Sequence, residues 1–176
     1  MAPEIPISAN EPLYVNNAGL VLTAPYLPHL FKTLEMTASG GGWKDAASAA
    51  RAPHLLQWLV DGAGPSPEPL LVLNKILCGL SPAAPLDPHF ESSQREQDVC
   101  TQLLQAILAN WAVIKSSSVT ALRETFLQRE GTLLEEEDRW QLRVQRKALD
   151  VLLDKVPWNF STIRQPWMTK PLYVTW

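Results

Sequence analysis

Three histidines, two cysteines and an acidic run are the side chains of this 176-residue chain best suited to chemistry. A Cys–His pair makes a nucleophile when the two meet in space, and sequence adjacency is not required. His29, His54 and His89 lie far apart, each near a proline-marked boundary, and read as structural histidines. Cys78 and Cys100 form no C-x-x-C pair. Their neighbours, Leu77 and Leu80 for one and Val99 for the other, are apolar, so both read as buried free thiols. Glu135, Glu136, Glu137 and Asp138 place carboxylates in a row, but without the ligand spacing of a calcium loop, and read as a solvated turn. Asp150 and Asp154 are four residues apart and can share a helical face. Beside Arg146, Lys147 and Lys155 they read as ordinary charged surface. The chain lacks G-x-x-x-x-G-K-[ST], G-x-G-x-x-G, H-E-x-x-H and G-x-S-x-G. No motif supports a hydrolase with a spatially assembled site. No catalytic residue, metal ligand or cofactor is assigned, and the chain is expected not to be an enzyme.

Composition narrows the partners. With 15 basic and 18 acidic residues the net charge is −3, which gives no electrostatic footprint for nucleic acid. Hydrophobic residues make up 46% of the chain, enough to bury a substantial core. The first residues carry neither a basic region nor an apolar segment of the secretory kind, and no apolar run approaches the roughly 20 residues of a membrane span. A cytosolic, reducing compartment and no membrane insertion are expected.

The elements read as helices first, then strands. Residues 1–11 form a Pro-rich lead-in, and 12–176 one α+β domain. A helix is expected over about 20–34, interrupted by Pro25 and Pro28. Pro53 suits the first position of a helix carrying Leu55, Leu56, Leu59 and Val60 and ending at Asp61-Gly62. Leu70, Leu73, Ile76, Leu77 and Leu80 make another apolar face, with Gly79 near its stop. Ser93-Gln94-Arg95-Glu96 is a capping box ahead of the stripe Val99, Leu103, Leu104, Ile107, Leu108, Trp111. Val119, Leu122, Phe126 and Leu127 follow as a further helix that Gly131 ends. Trp140, Leu142 and Val144 then alternate with polar residues, so 132–146 reads as a β-hairpin. "ALDVLLDKV" suits a short helix or a strand equally well. "WNFSTIR" and "PLYVTW" look like strands. The fold class is therefore α+β, short amphipathic helices followed by a small antiparallel sheet.

Many linked phrases resemble the contractile injection system tape measure family, and its C-terminal region in particular. They are "EPLYVNNAGLVLTAPYLPHLF", "HLLQWLVDG", "LVLNKILCGL", "SSSVTALRETFLQREGTL", "WQLRVQRKALDVLLDKVPW", "IRQPWM" and "PLYVTW". They run in the family's order from about residue 11 to 176, leaving out the loops 36–46 and 81–92. The resemblance implies a bacterial component of a phage-tail-like contractile particle, made in the cytoplasm and placed in the assembling particle. Its expected partners are the baseplate hub or spike, the inner tube, and copies of itself. The role of a long ruler does not fit these residues alone. Fully helical they would span only ~260 Å, and the prolines favour a compact body. A docking component is expected, with an assembly chaperone that leaves the finished particle as the rival.

Two stretches carry the finer expectations. Pro12-Leu13-Tyr14-Val15 recurs as Pro171-Leu172-Tyr173-Val174, and both copies are expected in or beside one sheet, with loss of 171–176 destabilising because an edge strand would go. "PWNFSTIRQPWM" is rich in residue types enriched at interface centres. Trp167 and Met168 are expected on a partly exposed turn as a partner anchor, together with Arg164 and Trp176. Trp158 and Ile163 are expected buried beneath it, and Trp167→Ala is expected to weaken partner binding without touching the thermal midpoint.

Overall fold

The computed structural model describes residues 11–176, so most of the proposed lead-in lies outside the described residues. Leu13–Val15 (β1) is followed by a 3-10 segment, Ala18–Tyr26, and then by the helix Leu27–Thr33 (α1), with Pro28 in its first turn, where no N–H is needed. The 3-10 segment is buried almost throughout. Gly19 is required there because a Cβ at this position would collide with the backbone carbonyl of Phe126.

Ala46–Asp61 (α2) starts seven residues before Pro53, which lies inside the helix and not at its start. The true cap is Asp45, whose carboxylate accepts the Ser48 N–H at 2.7 Å. Pro53 is buried on the same face as Leu55, Leu56 and Leu59, and its carbonyl accepts a side-chain N–H from Asn74 at 2.9 Å. Val72–Leu77 (α3) follows, preceded by a 3-10 turn. Gln94–Asn110 (α4) has the expected capping box, with Ser93 Oγ accepting the Glu96 N–H and the Glu96 carboxylate accepting the Ser93 N–H.

Val119–Leu122 (α5), capped by Ser118, runs into a π-helical turn at Arg123–Leu127. That turn aims Arg123 at the end of α2. Its guanidinium lies 4.9 Å from the Trp58 ring centre and donates to the Leu59 carbonyl, an acceptor that the helix terminus leaves open, and to the Trp58 carbonyl, which also accepts the Gly62 N–H. Gly131 does not end this helix, which stops at Leu127, but opens the next strand.

The expected hairpin is Gly131–Glu135 (β2) and Trp140–Val144 (β3), paired antiparallel through the acidic turn. Glu136 there holds Arg139 at 2.7 Å and accepts from Gln141. Ala148–Lys155 is a 3-10 helix. Thr162–Ile163 (β4) and Leu172–Thr175 (β5) complete a five-stranded sheet of order β1-β2-β3-β5-β4.

Both PLYV phrases lie in this sheet, three strand spacings or about 14 Å apart. Two details differ from expectation. The sheet is mixed, because β5 runs parallel to β3 after a long connection that brings the chain back to the same end. And β5 is an interior strand between β3 and β4, not an edge. The inner sheet face, with Leu133, Leu142, Val144, Leu172 and Val174, joins one core with α1, α2, α4 and the 3-10 segment. Among the described residues no helix is long and apolar enough to cross a membrane.

Candidate docking surface

The residues with chemical potential are placed first. Cys78 and Cys100 are free and fully buried. Burial pushes the Cys100 thiol up to about 12 and the Cys78 thiol well up also, so neither supplies the thiolate that a nucleophile needs at neutral pH. His29 and His89 are exposed, and His54 is buried. Among the described residues no three His, Cys, Asp or Glu side chains are grouped to hold a metal ion.

Asp150 departs from expectation most sharply. It is fully buried, not surface. Its carboxylate receives both Nη groups of the buried Arg129, at 2.6 and 2.9 Å, as well as the Lys147 N–H at 2.8 Å and the Trp176 indole N–H at 2.9 Å. The physical reason is the 3-10 geometry of Ala148–Lys155. Asp150 and Leu153, three apart, share its inner side, while Asp154 faces solvent.

The stretch expected to form an exposed anchor is also corrected. Trp167 is 8% and Met168 7% exposed. Trp167 packs against Trp43 (centroids 4.7 Å apart) and edge-on against Phe31 (5.5 Å). Its indole N–H donates to the Leu77 carbonyl at 2.7 Å, and the Trp43 indole donates to the Cys78 carbonyl at 2.9 Å. Two indoles thus satisfy the acceptors that the end of α3 leaves unpaired. This is what draws the turn inward: a large apolar surface with one polar atom that finds its partner in the core.

The Met168 sulfur accepts the Gln165 N–H at 3.4 Å, and the Gln165 side chain donates to the Ala24 carbonyl. Ile163 is buried, as expected. Trp158 is only half-buried, tied by its indole to the Leu22 carbonyl and edge-on to Tyr26. Trp176 is half-buried over the ion pair, with the Arg129 guanidinium 5.3 Å from its ring centre. Arg164 alone of the four expected anchor residues is exposed.

Gly79 permits the approach. At φ +74 it stands where a Cβ would collide with the Trp167 carbonyl. Gly79→Ala is expected to lower stability by more than about 1 kcal/mol, since both the backbone angle and the space exclude a side chain. A urea midpoint unchanged from the parent would show that the 165–168 turn yields.

What remains outward is the other face of the sheet. Strand alternation places Tyr14, Thr132, Leu134, Gln141, Arg143, Tyr173 and Thr175 there. Tyr14 is 79% and Tyr173 39% exposed, so both PLYV tyrosines point out of the same face while their flanking Val15, Leu172 and Val174 point in. The Arg139 guanidinium lies 5.1 Å from the Tyr173 ring centre. Between β1 and β5 a cleft of about 320 Å³ is lined by Pro12, Leu134, Arg143 and Thr175 among others. In the sequence the density of aromatics at 158–168 is the stronger interface signal and hides this face. The signal was present in the period-two pattern of β3 and in the paired tyrosines.

Residues 3–176 match the family described as contractile injection system tape measure protein. No curated protein and no solved structure matches the chain.

Proposed function

The chain belongs to the contractile injection system tape measure family, and from that premise we propose that it is a docking component whose outer sheet face seats on another protein of the particle. The family is a structural one. The proposed partner is the baseplate hub or spike, or the end of the inner tube. The observation that carries this reading is that Tyr14 and Tyr173 both point out of one open sheet face, with Arg143 on a strand between theirs. Tyr and Arg are residue types that dominate binding energy at protein interfaces, and two rings left exposed by a chain whose other aromatics are all buried or half-buried ask for a cover. Arg164, exposed just beyond β4, is the residue we assign to the rim of this surface. Trp167 and Met168 contribute only by holding the turn, and Trp176 only through the ion pair beneath it.

A variant carrying Tyr14→Ala and Arg143→Glu is expected to keep the parental unfolding midpoint to within about 0.5 kcal/mol per site, as surface changes do. Its binding to purified hub or tube protein is expected to fall by about 2 kcal/mol or more. Undiminished binding would remove the outer face from consideration. The second reading, an assembly chaperone or adaptor, is separated by mass spectrometry of finished particles: a retained component is present in them and a chaperone is absent.

A further inference from the structure

His54 is the buried ionisable group that neither the ion pair nor the sheet uses. It lies on α2 at 4% exposure, and neither Nδ1 nor Nε2 has a hydrogen-bond partner. Its ring stacks on Phe90, centroids 4.5 Å apart and planes 7° from parallel. Phe90 belongs to the segment 81–92, a Pro-rich crossing from α3 to α4 without regular structure.

Few polar contacts hold this segment to the body. Lys75 Nζ donates to the Pro82 carbonyl at 3.1 Å, Arg51 donates to the Glu91 carbonyl at 2.8 Å while pairing with Glu96, and Gln97 Nε2 donates to Ser92 Oγ at 2.8 Å. Between Pro82 and Glu91 the closure rests mainly on Leu86 and Phe90, each 7% exposed, lying on the helices with His54 beneath, with the Leu86 backbone also facing the Glu68 carboxylate.

We propose that residues 81–92 form a flap that closes on neutral His54 and is released when that histidine takes up a proton. An imidazolium has two N–H donors and needs acceptors or water for both. The closed site offers at most one, the backbone of Asp87, and no second acceptor. The charged groups around it oppose one another. Asp87 in the flap favours the cation through its backbone and its carboxylate, and Glu68 in the turn before α3 does so too, though it is itself paired with Lys75, while Arg51 on α2 opposes it. The Phe90 face favours a cation as well, but the Arg51 guanidinium already lies over that ring at 4.6 Å. Burial is the largest influence and holds His54 below the usual histidine value.

The sign follows from linkage. A depressed value in the closed state means that closure is fully favoured above about pH 6.5 and is weakened as pH falls below it. The open fraction then rises by up to about tenfold per pH unit until the depressed value is reached. Release would bare Leu86, Phe90 and the α2 surface under them, a patch absent at neutral pH.

The test is 19F NMR of the full chain labelled with fluorophenylalanine, whose four resonances report Phe31, Phe90, Phe126 and Phe160. Between pH 7.5 and 5 the Phe90 signal alone is expected to move toward its solvent position. In His54→Leu, or in His54→Gln should the first fail to fold, it is expected to stay. In Asp87→Asn, which keeps the side-chain acceptor that receives the His89 N–H, it is expected to move further than in the parent at pH 5. A Phe90 signal that holds still to pH 5 overturns the proposal. So does one that moves equally in the His54 variants, and so do four signals that shift together.

Discussion

Replacing Asp150 with Ala is expected to cost about 3–5 kcal/mol of stability, the range for breaking a buried ion pair by removing one partner. Arg129 is 1% exposed and would be left with an uncompensated charge where water cannot reach it. It would keep its bonds to the carbonyls of Thr125 and Gln145, but these are neutral acceptors. The Lys147 N–H and the Trp176 indole would also lose their acceptor, so the strain reaches both the 3-10 helix and the end of β5. Urea unfolding reads the loss directly. A change under about 1 kcal/mol would mean that solvent enters the site and screens the charge.

The double variant Arg129→Met with Asp150→Leu separates charge from shape. It removes both ions at once and is expected to recover a good part of the loss, because buried pairs replaced by apolar residues of similar size are often near neutral. Acid gives an independent reading. Burial by itself raises the Asp150 value, but the hydrogen bonds from Arg129, the Lys147 N–H and the Trp176 indole outweigh it, and the net direction is downward. A depressed carboxylate stabilises the fold above its unfolded value of about 3.9, and that contribution is lost as pH falls through the lower folded value. The parent should therefore lose stability below about pH 4 more steeply than Asp150→Asn.

The difference between what could and could not be read from the chain follows the range of the interactions involved. The capping box of α4 was legible because its two hydrogen bonds close within four residues. The hairpin was legible because alternation and an acidic turn lie side by side in sequence. The α+β class and the shared sheet of the two PLYV phrases followed from strand-forming residues at fixed places.

Asp150 was not legible. Its neighbours Arg146 and Lys147 suggested surface, whereas its partner Arg129 is 21 residues away, and only the three-residue turn of the 3-10 helix aims the carboxylate inward. The direction of β5 was not legible either. Local pattern gives a strand its faces but not its sense, which is fixed by how the connection from β3 returns. Pro53 looked like a helix start because proline is at home there, while the actual start depended on the cap of Asp45.

Trp167 shows the same limit with the largest consequence at a single apolar residue. Trp167→Ala, expected from sequence to leave stability alone, is now expected to lower it by about 3–5 kcal/mol, as large aromatic truncations in a core do. A density of Trp, Phe, Met and Arg describes an interface and a core equally well. What decides between them is where the indole N–H finds an acceptor. Here that acceptor is the Leu77 carbonyl at the end of α3, and Gly79 lets the turn come close enough to reach it. The truncation would open a cavity beside Trp43 and Phe31 and leave the Leu77 carbonyl unpaired. Trp167→Phe refills most of the volume without the donor, so its smaller loss, about 1–3 kcal/mol, isolates the unpaired carbonyl. Arg164→Ala, one exposed residue in the same turn region, is expected to change stability by no more than about 0.5 kcal/mol. Urea midpoints for the three variants order them. If Trp167→Ala matched Arg164→Ala, the indole would be dispensable to the core, and residues 164–168 would return as a candidate for the docking surface.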